Sequence, residues 1–202
     1  MGGLEFITNV FSETLKLFAL LTPPVVLSAF LSASKRYDTA RKRATARKTA
    51  LSVFLIGFIL YFLGDRIFGI FGFTLDAFRI GAGMLLFLSA VSLMNEKPEK
   101  PTFSDDEDIC VVPLAIPLCM GPASIGTMMV LGASATTHLH MITGLLALLF
   151  ASIGIYATLY FASSIGRVLG KTGIAVLSKL TGLLLAGIAA QVIFTGIKSF
   201  LR

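Results

Sequence analysis

The sequence predicts an all-α polytopic membrane protein, with six transmembrane helices arranged as two inverted three-helix repeats in which helices 1 and 4 are discontinuous. Three observations predict it. The chain is 55% hydrophobic and only 14% charged, with a mean hydropathy of +0.87, far from the balance of a water-soluble domain. Its apolar residues fall into six runs, each near the ~20 residues needed to cross a hydrocarbon core. Two of these runs are interrupted by proline at corresponding places 99 residues apart, Pro23 and Pro122.

The first run, 10–32, carries Leu20-Leu21-Thr22-Pro23-Pro24-Val25-Val26 near its middle. Proline lacks a backbone donor and collides with the preceding turn, so a helix should stop before Pro23. A second half-helix should then open on Pro23, because proline suits the first helical position, with Thr22 as its cap. Runs 50–72 and 78–94 read as helices 2 and 3. Glutamates, lysines and prolines at 96–101, followed by Asp105-Asp106-Glu107-Asp108, mark a solvated linker. It lacks the ligand alternation and glycine of a calcium loop. The fourth run, 111–133, breaks at Gly121-Pro122-Ala123-Ser124, with Gly121 in the capping place; runs 139–164 and 174–197 complete the set. The expected division is a first repeat at 1–94, an acidic cytoplasmic linker at 95–110 and a second, inverted repeat at 111–202.

Sliding the chain by 99 residues aligns all three helices of each half without a gap. Pro23 falls on Pro122, Ile56 on Ile155, Leu60-Tyr61-Phe62 on Leu159-Tyr160-Phe161, and Gly83, Leu85, Leu86 and Ala90 on Gly182, Leu184, Leu185 and Ala189. Three spans per half is an odd number, so the second half enters the membrane from the opposite side, as in inverted-repeat carriers.

The formal net charge is +6, yet its distribution argues against nucleic acid. Lys35, Arg36, Arg41, Lys42, Arg43, Arg47 and Lys48 crowd the segment after the first span. Short loops rich in Lys and Arg stay cytoplasmic, which makes 34–49 a cytoplasmic loop and places both termini outside. Such a cluster also suits anionic lipid headgroups. Lys97, Lys100, Arg167 and Lys171 fall on the same side, whereas 136–140 carries no Lys or Arg. No cleavable leader is expected, because Glu5 and the lack of a basic start precede the first apolar run. Cys110 and Cys119 lack CxxC spacing and read as small helix residues.

Broken backbone at membrane depth is tolerated only where protein or a watery cavity surrounds it, and paired interruptions point to a carrier's substrate site. The candidate substrate-lining residues are Thr22, Pro23, Pro24 and Ser28 from the first break and Gly121, Pro122, Ala123, Ser124 and Thr127 from the second, with Gln191 of span six. Helix starts with free N–H groups hold carboxylates, and the carbonyl ends of the preceding half-helices suit an ammonium or a cation. Small residues here serve close helix packing equally well. Gln191 either bonds another helix or faces a cavity. Gly81, Gly83, Gly182 and Gly187 read as close-contact points. Glu13 and Lys16, three apart, can pair on one helix face, and Asp65, Arg66 and Arg79 read as surface anchors or an external gate. His138 and His140 have no third ligand beside them, so no metal site is expected. No HExxH, P-loop or GxSxG pattern occurs, so no enzyme activity is expected.

Four stretches carry a family resemblance. They are Phe18-Ala19-Leu20-Leu21-Thr22-Pro23 with the basic segment after it; Phe78-Arg79-Ile80-Gly81-Ala82-Gly83; Val112-Pro113-Leu114-Ala115-Ile116-Pro117 through Gly121-Pro122; and Gly173-Ile174 through Gly182-Leu183-Leu184-Leu185, with Gln191 and Thr195-Gly196-Ile197 beyond. Together they resemble the MarC family of bacterial and archaeal membrane proteins, in particular its SnatA-type branch. The resemblance implies six spans and transport of small neutral amino acids such as glycine and alanine. Where the family typically has Asn-Pro-Xaa-Gly at the first break, this chain has Thr22 and Val25. Ala123 replaces the last glycine of the second break, and Ser28 stands where many relatives have proline.

The expected function is therefore an inner-membrane secondary transporter of small neutral amino acids, alternating access around a midplane site at the two breaks. No cofactor is expected; a coupling Na+ or H+ and a homo-oligomer stay open. The rival readings are a passive channel for small solutes, which lacks occlusion, and a non-transporting scaffold, in which side chains fill the breaks.

Overall fold

The computed structural model describes residues 3–72, 74–95, 115 and 119–201. All regular structure among them is helical: α1 (Gly3–Leu20), α2 (Pro23–Ala33), α3 (Thr39–Phe71), α4 (Leu75–Asn95), α5 (Pro122–Ala133), α6 (His138–Tyr160) and α7 (Ala162–Phe200). Four helices are long and apolar enough to cross a membrane by themselves, α3 within Thr39–Gly64, α4, α6 and α7. The pair α1 and α2, bent by 47° at Leu21 and Thr22, makes up to five. The 95–110 linker beyond Asn95, Cys110, and the first half of the fourth run save Ala115, Cys119 and Met120 lie outside the described residues.

Local chemistry accounts for the element starts. Asp38 caps α3 by accepting the Arg41 N–H at 2.9 Å, and Thr137 caps α6 by accepting the His140 N–H at 3.4 Å, each satisfying an orphan donor of a first turn. Proline opens both α2 and α5. The starts of α2 and α5 are 99 residues apart, and so are those of α3 and α6.

Two expected loops are mostly helical instead. The 34–49 segment is a loop only to Asp38, and Arg41, Lys42, Arg43, Arg47 and Lys48 form the first turns of α3. Arginine, lysine and alanine are strong helix formers, and a hydropathy window registers their charge but not that preference. The 165–173 connection shrinks to a kink within α7 at Gly170 (φ 61°, ψ −175°), a non-helical conformation open only to glycine, with helix on either side.

The interior mixes large side chains such as Phe30, Leu86, Leu148 and Ile155 with many alanines, while the outside is rich in large apolar residues. Ala29, Ala46, Ala82, Ala90, Ala147, Ala151 and Ala189 are buried, whereas Leu4, Phe11, Leu55, Ile70, Leu88, Leu183 and Phe194 are exposed. Lipid supplies no hydrophobic drive between helices, so close backbone approach holds them together. A Cβ on Gly64 would lie 2.6 Å from the Met129 carbonyl oxygen, and one on Gly182 would lie 3.0 Å from that of Ala90. Gly83 is equally tight against Ile193, while Gly81 and Gly187 face open space. Of the four glycines expected at contacts, only the pair on the α4–α7 face is there.

The packing crosses the two halves of the sequence. α1 packs on α6, α2 packs on α7, α5 sits between α3 and α4, and α4 lies along α7. At one end of the bundle the Arg43 guanidinium lies 5.1 Å from the centre of the Tyr160 ring and Gly166 meets Leu31, so the basic start of α3 gathers with the starts of α7 and the end of α2. At the opposite end Ser199 donates to Asp76 Oδ2 at 2.8 Å, and Arg79 donates to both Asp76 Oδ1 and Ser134 Oγ at 2.8 Å.

Candidate functional site

At the first break the last turn of α1 tightens. The Leu21 N–H reaches the Leu17 carbonyl and the Thr22 N–H that of Ala19, both at 3.0 Å. Thr22 then adopts the left-handed conformation (φ 46°, ψ 56°), the one non-glycine residue with positive φ among the described residues. A β-branched residue is costly there, by roughly 1–2 kcal/mol, and such outliers cluster at functional sites. Contrary to expectation, the Thr22 side chain makes no cap bond to α2. Pro23 and Pro24 offer no N–H, and the Val25 and Val26 N–H groups go to the Thr22 carbonyl at 3.0 and 3.2 Å. The start of α2 therefore has no free donor for an anion, which corrects the expectation of two equivalent electropositive ends.

The start of α5, where the second break is expected, is built differently. The Met120 N–H bonds the Ala115 carbonyl at 2.9 Å, a five-residue step that widens the turn. Gly121 is extended (φ −74°, ψ 173°), Pro122 takes the first helical position, and the Ile125 N–H bonds the Gly121 carbonyl at 3.0 Å. The Ala123 and Ser124 N–H groups have no backbone acceptor among the described residues. The donor-bearing end at the breaks is thus that of α5.

The two breaks meet. Ser124 Oγ donates to the Leu20 carbonyl at 2.9 Å, a bond between residues 104 apart in sequence. It satisfies one of the carbonyls left orphaned where α1 stops. Leu20 and Ser124 are only 4% and 6% exposed, and Leu21, Pro23, Pro24, Met120 and Ala123 around them are buried as well.

Of the expected site residues, Thr22, Pro23, Pro24, Gly121, Ala123 and Ser124 gather around this bond, with the Pro122 backbone. Thr127 is half-buried one turn along α5, its hydroxyl returned to the Ala123 carbonyl at 2.9 Å. Ser28 is exposed on α2 and Gln191 on α7, away from the junction. The Gln191 backbone carbonyl accepts from Thr195 Oγ1 at 2.8 Å.

A second feature was only half legible in sequence. Glu13 and Lys16 do pair, at 2.8 Å. They line a cavity of about 290 Å³ between α1, the end of α5 and the start of α6, together with Asn9, Ser12, His140 and Thr143. Gly144 forms part of its wall, and behind Gly144 the buried Tyr61 hydroxyl has no hydrogen-bond partner among the described residues. Hydropathy hides this cavity, because its polar residues are spread over three helices. Among the described residues no three His, Cys, Asp or Glu side chains come together.

A bundle of long apolar helices, with the bend between α1 and α2 held against the start of α5, defines an integral, multi-pass membrane protein. The sequence model of the MarC family integral membrane proteins matches residues 7–201, and the chain belongs to that family. It is 38% identical to the membrane protein YhcE of Escherichia coli, over 90% of this chain and 88% of that one. It is 31% identical to a membrane protein of Aquifex aeolicus over 93% and 92%, and 32% identical to membrane protein MJ1677 of Methanocaldococcus jannaschii over 98% of each. The family therefore reaches both bacteria and archaea. No solved structure gives a significant match.

Proposed function

We propose that this protein is a secondary carrier of small neutral amino acids in the inner membrane, with six spans in two inverted repeats and with helices 1 and 4 discontinuous. The observation that carries the reading is the Ser124–Leu20 bond. It joins the two proline breaks at one buried point, where a carrier's substrate site is expected. The element starts repeated at 99 residues support the inverted repeat. In this reading the Ala123 and Ser124 N–H groups receive the solute carboxylate and the carbonyl end of α1 faces its ammonium. Thr22, Pro23, Pro24 and Gly121 shape the walls. The buried breaks correspond to an occluded state. The basic end of the bundle faces the cytoplasm and anionic lipid headgroups, which places both termini outside.

Proteoliposomes loaded with unlabelled alanine or glycine test this. A carrier gives saturable counterflow of the labelled amino acid, and Gly121→Leu abolishes it while leaving the protein folded. Flux that rises linearly with solute and shows no counterflow would instead establish a channel. No flux at all for any small neutral amino acid would leave a scaffold.

A further inference from the structure

We infer that the cavity between α1, α5 and α6 is a separate receiving site for a zwitterion, in which Lys16 takes the carboxylate and Glu13 the ammonium. The inference deepens the carrier reading and rests on it for the choice of solute. An ion pair within an apolar span is a functional feature by default. This one is not sealed: the Glu13 and Lys16 side chains are 29% and 42% exposed, and both face the cavity. An exposed pair within one helix contributes little stability, so it opens readily. A zwitterion that inserts replaces each charge with one of the same sign, and the number of ion contacts does not fall. The site stays neutral throughout, which favours zwitterions over solutes carrying net charge.

The cavity volume, about 290 Å³, exceeds that of glycine or alanine several-fold, leaving room for the solute and bridging water. Lys16 lies one turn before Leu20, a rise of about 6 Å, and the Leu20 carbonyl holds the Ser124 hydroxyl. Behind the Gly144 wall the Tyr61 residue is only 3% exposed, and its hydroxyl, which lies outside the cavity lining, has no hydrogen-bond partner among the described residues.

The test uses the full chain in proteoliposomes, with Asn9→Cys as a reporter in a Cys110→Ser, Cys119→Ala background. The rate of modification by a charged methanethiosulfonate is measured with and without glycine or alanine. Either amino acid should slow modification. Half-protection should need roughly tenfold more solute in Glu13→Gln and in Lys16→Met, and the swapped pair Glu13→Lys, Lys16→Glu should restore it. Propionate and ethylammonium, each with one charged end, should protect roughly tenfold less well. Protection should persist in Ser124→Leu, whose bulk lies at the breaks. Absence of protection by both amino acids, equal protection by the one-ended analogues, or loss in Ser124→Leu with retention in the Glu13 and Lys16 variants would each overturn the inference. Protection without counterflow would sink the carrier reading alone, and counterflow without protection would sink the receiving site alone.

Discussion

Replacing Ser124 by alanine removes the hydroxyl that joins the two breaks and leaves the Leu20 carbonyl without that donor. An unpaired buried polar group costs roughly 1–3 kcal/mol, while side-chain hydrogen bonds between membrane helices average about 0.6 kcal/mol. With Leu20 and Ser124 4% and 6% exposed, water cannot readily replace the lost donor, and the cost belongs above that average. Alanine returns a few tenths of a kcal/mol through its better helix propensity. The expected net loss is about 1 kcal/mol, or a fall of roughly 2–4 °C in Tm for a chain of this length. The chain has no tryptophan, so unfolding is followed by helical circular dichroism or by a thiol dye reporting exposure of Cys119, which is 1% exposed in the fold. Thr127→Ala is the control. Its hydroxyl bonds a carbonyl of its own helix, so its loss should cost under about 0.5 kcal/mol. If Ser124→Ala melts with Thr127→Ala, the junction is not a load-carrying contact and the argument from it fails.

Two further expectations concern packing and orientation. A Cβ on Gly132 would run into the Tyr61 carbonyl, so Gly132→Ala should separate α3 from α5 and cost about 1–3 kcal/mol in the same melts. Gly81→Ala and Gly187→Ala, which meet open space, should be neutral or gain about 0.5–1 kcal/mol. Cysteines at Lys35 and Thr136, at opposite ends of the bundle, should react with an impermeant maleimide from opposite sides of the membrane, Thr136→Cys from outside intact cells; the reverse pattern would invert the proposed topology.

The sequence alone was sufficient for features that depend on neighbours along the chain. Hydropathy marked 78–94 as a span, and α4 runs Leu75–Asn95. Proline chemistry placed the starts of α2 and α5, and the three-residue spacing of Glu13 and Lys16 foretold their ion pair. It failed where charge and helix propensity disagree, as at Arg41–Lys48, and it overestimated the length of the connection that the structure narrows to a kink at Gly170. Only tertiary structure decided which faces meet. It pressed Gly83 against Ile193 and Gly182 against Ala90 and turned Gly81 and Gly187 outward, left Ser28 and Gln191 exposed, and brought Ser124 to Leu20. It also set α1 against α6 and α5 between α3 and α4, so each broken element packs into the opposite half. The division follows from range: backbone geometry and amphipathic spacing act over a few residues, whereas contact between Ser124 and Leu20 depends on how helices 104 residues apart fit side by side.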